Sequence, residues 1–410
     1  MRTPILALLA LAAVVSAQRR TVSDDEVMRV HRSALLIDTH NDVTWNVIEG
    51  FDIGKRSDQL HTDLPRMREG GLGAQFFSIY VAADYVQGNH SANRALQLID
   101  TVRHDIVGRY PNDFELATSV ADIERAHREG KIAALMGIEG GHAIEDSLRL
   151  LRDYYALGVR YMTLTHSNTN NWADSSGDIN RAGVRHHNGL TDFGKQVVRE
   201  MNRLGMMVDI SHVADKTFYD ALEVSSAPIF ASHSSCRALA NHPRNMTDDM
   251  IVALAKKGGV VQINFNCGFV SQRYIDAQAA ESPRLDARFR QETAGRTLSE
   301  PQQYIVYNRL RKEMKLTRAT LAELVDHIDH IRDIAGIDAI GIGSDFNGVT
   351  CVPEGLEDVS KMPNLTRELL ARGYSAEDIR KIYGGNTLRV LRAVEAERDR
   401  LQATREKAAQ

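Results

Sequence analysis

Eight short apolar runs recur along the chain, near residues 35–39, 73–81, 132–138, 159–165, 206–211, 228–232, 259–265 and 339–344. Most segments between them carry a helical repeat, as in IERAHREG, SLRLLRDYYALG, LTDFGKQVVREMNRLG and MTDDMIVALAKKGG. Several close on glycine just before the next run, as helix C-termini commonly do. Strands joined by helices pair in parallel, because each crossover returns the chain to the same end of the sheet. Eight such units in 410 residues predict an α/β fold, a closed (β/α)8 TIM barrel rather than an open doubly wound sheet. No GxGxxG follows the first run and no Walker-type loop occurs, so neither nucleotide-binding fold gains support. An amphipathic helix over 23–35 is expected ahead of the first strand, starting at Ser23 and Asp24. Two connections are long for a barrel of this kind, 167–188 and 266–338, and are expected to wall or cover the substrate pocket.

Acidic and imidazole side chains stand at the ends of these runs: His40 and Asp42 in LLIDTHND, Glu139 in ALMGIEGG, His212 in MVDISH, His233 in PIFASH and Asp345 in AIGIGSDF. The C-terminal ends of barrel strands form the catalytic face, so these groups should converge there. His40 and Asp42 are two apart, which turns both to the same side of the pleat. Three imidazoles with three carboxylates match what two divalent, zinc-like ions require. Glu139 has two oxygens with which to hold two cations ~3.5–4 Å apart, and Gly140 and Gly141 leave room beside it.

The net charge of −4 and the absence of a basic stripe give no reason to expect nucleic acid or an anionic membrane surface as partner. Met1-Arg2, an apolar run Ile5 to Val15 and small residues through Ala17 read as a secretory signal peptide over 1–17, leaving 18–410 as one catalytic barrel. The run is too short to span a bilayer, and the charged C-terminus offers no lipid anchor, so an exported, periplasmic or secreted protein is expected. Of the three cysteines, Cys236 and Cys267 follow neighbouring strands and are the pair best placed to bond, leaving Cys351 unpaired; three free thiols are an equal alternative. The pair His327 and His330 shares a helix face but is assigned to surface or rim packing, and His186-His187 to a solvated loop. Ser211, Ser232, Ser234 and Ser235 lack a GxSxG elbow and are expected to hydrogen-bond around the ligands.

DTHND at 38–42, GIEGGH at 137–142, LTHSNTNNWADS ending at 175, DISH at 209–212, SHSS at 232–235, RNMTDD at 244–249 and GIGSDFNG at 341–348 together resemble the membrane dipeptidase family, peptidase family M19 of the amidohydrolase superfamily. The stretches run in family order over nearly the whole chain. The resemblance implies that His40 and Asp42 hold one zinc, that His212 and His233 hold a second, and that Glu139 bridges them. It also implies that His166 polarises the scissile carbonyl, that Arg244 meets the substrate carboxylate, and that Asp345 binds beside the metals and handles protons. The implied reaction is dipeptide hydrolysis by a metal-bridging hydroxide, formed because coordination lowers the pKa of water from ~15.7 towards 7. Homodimerisation is left open. Two positions depart from the family pattern: Ile210 stands for Leu in DLSH, and Asn347 for the second Asp of GSDFDG. The first rival is a related amidohydrolase acting on another carboxylate-bearing amide such as a β-lactam. The second is a metal-stabilised binding protein, which would need neither Asp345 nor His166.

Overall fold

The computed structural model describes residues 20–298 and 300–409. Its strands are β1 (Leu36–Asn41), β2 (Leu72–Tyr80), β3 (Phe114–Leu116), β4 (Ile132–Glu139), β5 (Val159–Thr163), β6 (Met207–Asp209), β7 (Phe230–Ser234), β8 (Val260–Ile263) and β9 (Ile340–Ile342). Pairing is parallel throughout, in the order β1-β2-β4-β5-β6-β7-β8-β9. The ring closes above β9, where Asn41 bridges Phe346 and the Asp345 N–H donates to the His40 carbonyl at 3.1 Å. Each apolar run named above is therefore a barrel strand.

β3 was not foreseen. It lies off the ring, pairing with the start of β4 through Phe114 and Ile132, where β5 has not yet joined. Three residues are too few for a pattern in sequence to register.

The bore is filled, as in a packed barrel core. Phe76, Tyr161 and Phe230 are buried there with ring centroids 5.3 and 5.4 Å apart around Tyr161. Gly137 makes this possible, since a Cβ at that position would sit 1.9 Å from the Tyr161 ring. The tyrosine hydroxyl thereby reaches up the bore to the catalytic end.

The expected leading helix spans Asp24–Arg32, capped by Ser23, whose Oγ accepts from the Glu26 N–H at 3.2 Å. The expected leader, residues 1–17, lies outside the described residues. The 167–188 connection has no helix or strand, yet it is tied down: Asp178 accepts from the Thr169 N–H and hydroxyl at 2.7 Å each, and Trp172 is fully buried. The 266–338 connection is more helical than its polar sequence suggested. It contains Cys267–Val270, Gln272–Thr293, Glu300–Glu313 and Leu321–Ala335, with Pro283 inside the second helix. Thr320 and Glu323 form a capping box that starts the last helix four residues later than the expected 317.

The disulfide joins Cys267 to Cys351, not Cys236 to Cys267. Strand adjacency was the right criterion but it has two solutions, because β8 neighbours both β7 and β9. The Cys267 N–H donates to the Cys351 carbonyl at 2.9 Å, which holds the Cα atoms 5.4 Å apart. Cys236 is buried elsewhere, and its backbone N–H donates to His327 Nδ1 at 3.0 Å.

Candidate metal centre and active site

The five expected ligands converge at the C-terminal end of the barrel, around Glu139. Glu139 Oε2 lies 3.5 Å from His40 Nε2, which lies 3.3 Å from Asp42 Oδ2. Glu139 Oε1 faces the other way, 3.0 Å from His212 Nε2 and 3.3 Å from His233 Nε2, and those two nitrogens are 3.0 Å apart. Tetrahedral zinc with bonds of about 2.0–2.1 Å sets neighbouring ligand atoms about 3.3 Å apart, so both clusters have the spacing of ligands around a cation. His40 Nε2 and Asp42 Oδ1 are buried without a hydrogen-bond partner, an expensive arrangement unless something else binds them. The donor set fits a pair of zinc-like ions.

The imidazoles are aimed by groups below them. Tyr161 donates its hydroxyl proton to the Thr39 carbonyl at 3.0 Å, so its oxygen accepts from His40 Nδ1 at 2.9 Å, and Nε2 is the nitrogen that carries the lone pair once the ring is neutral. Ser232 donates to Asp209 Oδ2 at 2.6 Å and in turn accepts from His233 Nδ1 at 2.7 Å, with the same consequence. Asp209 ties β6 to β7, and Asp38 ties β1 to the end of β9 through the Ser344 N–H and hydroxyl at 2.8 and 2.6 Å. Neither aspartate was singled out from sequence. The available signal was an acid interrupting an apolar run just ahead of a candidate ligand, in DTH and DISH. The serine assignment was sound for Ser211, whose hydroxyl accepts from the His233 N–H at 3.0 Å, and for Ser232.

His212 and Asp345 hold left-handed backbone, φ 66° and 62°, a conformation costly for residues with a Cβ. Gly348 makes room for Asp345, since a Cβ there would lie 2.2 Å from Asp42 Oδ2 and 2.5 Å from Asp345 Oδ1. Asp345 Oδ2 accepts from Asn264 Nδ2 at 2.8 Å, and one of its carboxylate oxygens stands within the same cluster as His40 and His233. His166 Nε2 is 3.8 Å from Glu139 Oε1, and its ring packs on Tyr80 and His212. Arg244 is buried, donating to the His233 carbonyl at 2.9 Å and to Ser234 Oγ at 3.3 Å, with Phe269 beneath it. All eight expected site residues therefore meet in one place.

Burial pushes the pKa values of His166, His212 and His233 well below the ordinary imidazole range, which keeps them neutral. Burial acts the same way on His40, but Tyr161, Glu139 and Asp42 outweigh it and raise its pKa well above 6.5. Burial, with Asp42 and Glu139 adding to it against His40, pushes Asp345 up to about 7. A metal ligand must give up its proton. Because His40 holds its proton more tightly than an ordinary imidazole, a cation ligated there competes with that proton, so binding should release protons and affinity should rise with pH. Calorimetric titration of zinc in buffers of differing ionisation enthalpy checks this; identical heats in all buffers would contradict it.

The profile of the membrane dipeptidase family (Peptidase family M19) matches residues 24–405. The chain belongs to this family. It is a hydrolase of the metallo-dipeptidase class, as the resemblance in its motifs implied. Solved structures agree. The probable dipeptidase PvdM from Pseudomonas aeruginosa is 27% identical, with a TM-score of 0.75 over 91% of this chain and 98% of that one. A metallo peptidase from Rhodobacter sphaeroides, liganded with a phosphinate mimic of the dipeptide L-Ala-D-Ala, is 25% identical with a TM-score of 0.70 over 88% and 99%.

In this dipeptidase several other histidines serve the fold. His142 Nε2 bonds the Val81 carbonyl at 2.9 Å, and burial drops its pKa to about 4. Of the surface or rim packing expected for His327, packing is what occurs: it is fully buried, receiving the Cys236 N–H and bonding the Val270 carbonyl at 2.9 Å. His330 pairs with Asp248 at 2.8 Å, and His187 bonds the Asn170 carbonyl at 2.9 Å. Asn347 donates its amide to Asn46 and its backbone N–H to His61, a neutral set of contacts where the family pattern carries a charge.

Proposed function

We propose that this enzyme hydrolyses dipeptides at a binuclear zinc centre held by His40, Asp42, Glu139, His212 and His233. The observation that carries the reading is the Glu139 carboxylate, with one oxygen turned to each ligand cluster. Bound zinc would supply a nucleophilic water at neutral pH and polarise the scissile carbonyl. The chain's own groups do the rest. His166 is held neutral beside Glu139 and donates a hydrogen bond to the carbonyl oxygen as charge develops on it. Asp345, poised near neutrality, takes the proton from the attacking water and gives it to the leaving amine. Arg244 receives the free C-terminal carboxylate; its Nε is buried without a protein partner, and a guanidinium fork matches a carboxylate.

Export followed by removal of residues 1–17, leaving one catalytic barrel, is part of the same proposal. A disulfide between Cys267 and Cys351 supports it, since such bonds persist mainly in oxidising compartments.

Steady-state kinetics on free and C-terminally amidated dipeptides test the reading. Amidation should cost roughly 10–100-fold in kcat/KM, the size of a hydrogen-bonded charge contact. Arg244→Ala should cost a similar factor, mainly through KM, and the two losses should not add because each removes the same contact. Equal cleavage of free and amidated dipeptides by the unaltered enzyme would refute the Arg244 role.

A further inference from the structure

Three connections on the catalytic rim enclose a cavity of about 350 Å³. His61 comes from the β1–β2 connection, Arg311, Lys315 and Arg318 from the helical insertion, and Cys351 and Glu357 from the chain beyond β9; uncharged residues such as Tyr274 and Leu316 fill the rest of the wall. The Cys267–Cys351 disulfide fastens the insertion to the chain beyond β9. His61 links the cavity to the segment that carries Asp345. The backbone N–H of Asn347, two residues from Asp345, donates to His61 Nδ1 at 3.0 Å, and the His61 ring lies 5.5 Å from that of Phe346.

The charges in the wall do not cancel. Arg318 is satisfied by the carbonyls of Val352 and Pro353, and it lies 3.4 Å from Glu357, the one acid of the wall. Arg311 is held over the Tyr307 ring, and its Nε is buried with no hydrogen-bond partner. Neither Arg311 nor the exposed Lys315 has a carboxylate partner among the described residues. A buried guanidinium nitrogen left unsatisfied is costly, and an incoming carboxylate relieves it.

We propose that this cavity is a side-chain subsite for a carboxylate, and that the substrate class is dipeptides bearing aspartate or glutamate. The inference rests on the dipeptidase reading above and narrows it. Kinetics of the zinc-loaded enzyme on neutral dipeptides, then on Ala-Glu and Glu-Ala against Ala-Gln and Gln-Ala, test it. At one of the two positions the glutamate peptide should exceed its glutamine isostere by roughly tenfold or more in kcat/KM, one charge-assisted contact. Arg311→Gln should remove most of that preference by raising KM for the acidic peptide while neutral dipeptides are unaffected. Lys315→Glu, at an exposed position that tolerates the change, should do the same. Neutral dipeptides cleaved with no acidic preference, or a preference that survives both variants, would overturn the subsite alone. No turnover of any dipeptide would overturn the dipeptidase reading and the subsite with it.

Discussion

Glu139→Gln should empty both halves of the metal centre together. Glutamine keeps the volume and the hydrogen-bonding length of glutamate but loses the negative charge and one of two acceptor oxygens. In the native site Oε1 stands 3.0 and 3.3 Å from His212 and His233, and Oε2 stands 3.5 Å from His40. An amide presents its NH2 to one of these clusters, and an N–H cannot ligate a cation. Metal content should fall from two equivalents towards none, and turnover should fall ~10³-fold or more, because the source of the nucleophile is lost. His212→Ala should instead empty mainly the His212–His233 half, since His40 and Asp42 keep their own contacts. Elemental analysis of the purified variants beside the parent decides this. Loss of one equivalent in Glu139→Gln, with the other retained, would show that Glu139 serves a single ion.

Asp345→Asn should leave metal in place and still lower kcat by ~10²–10⁴-fold, the usual contribution of a general acid–base group. Its geometry permits two roles. The carboxylate lies in one cluster with His40 and His233, as a ligand would, yet its Oδ2 is engaged by Asn264 and it is pushed up to about 7, as a proton carrier would be. Burial favours its protonated form, and the His40 charge opposes this while Asp42 and Glu139 reinforce it. The variant separates the roles. As a proton carrier, asparagine binds metal normally and fails in turnover. As a ligand, activity falls only in proportion to metal lost and excess zinc restores it. Measuring bound zinc and kcat on the same preparation distinguishes them.

Much of the active site was legible along the chain because barrels put chemistry at strand ends, and strand ends are visible as the points where apolar runs stop. His40, Glu139, His212, His233 and Asp345 each mark such a point. The helices flanking them were legible from their caps and their closing glycines. The groups that orient the ligands were harder to see. Asp38 and Asp209 sit inside apolar strands, where a lone acid has no local meaning until Ser344 and Ser232 arrive from other strands.

The sequence by itself determined the number and order of the barrel strands and the family, and it marked the residues proposed as ligands, because periodicity and residue type are properties of short segments. The tertiary structure alone decided which cysteine Cys267 meets, that β3 lies off the ring, and that Tyr161 reaches through the bore to His40. It also decided that Arg311 and Lys315 line one rim cavity with His61. Each of these depends on distances between residues far apart in the chain. Such distances follow from how the closed ring stacks its connections, and no local pattern encodes them.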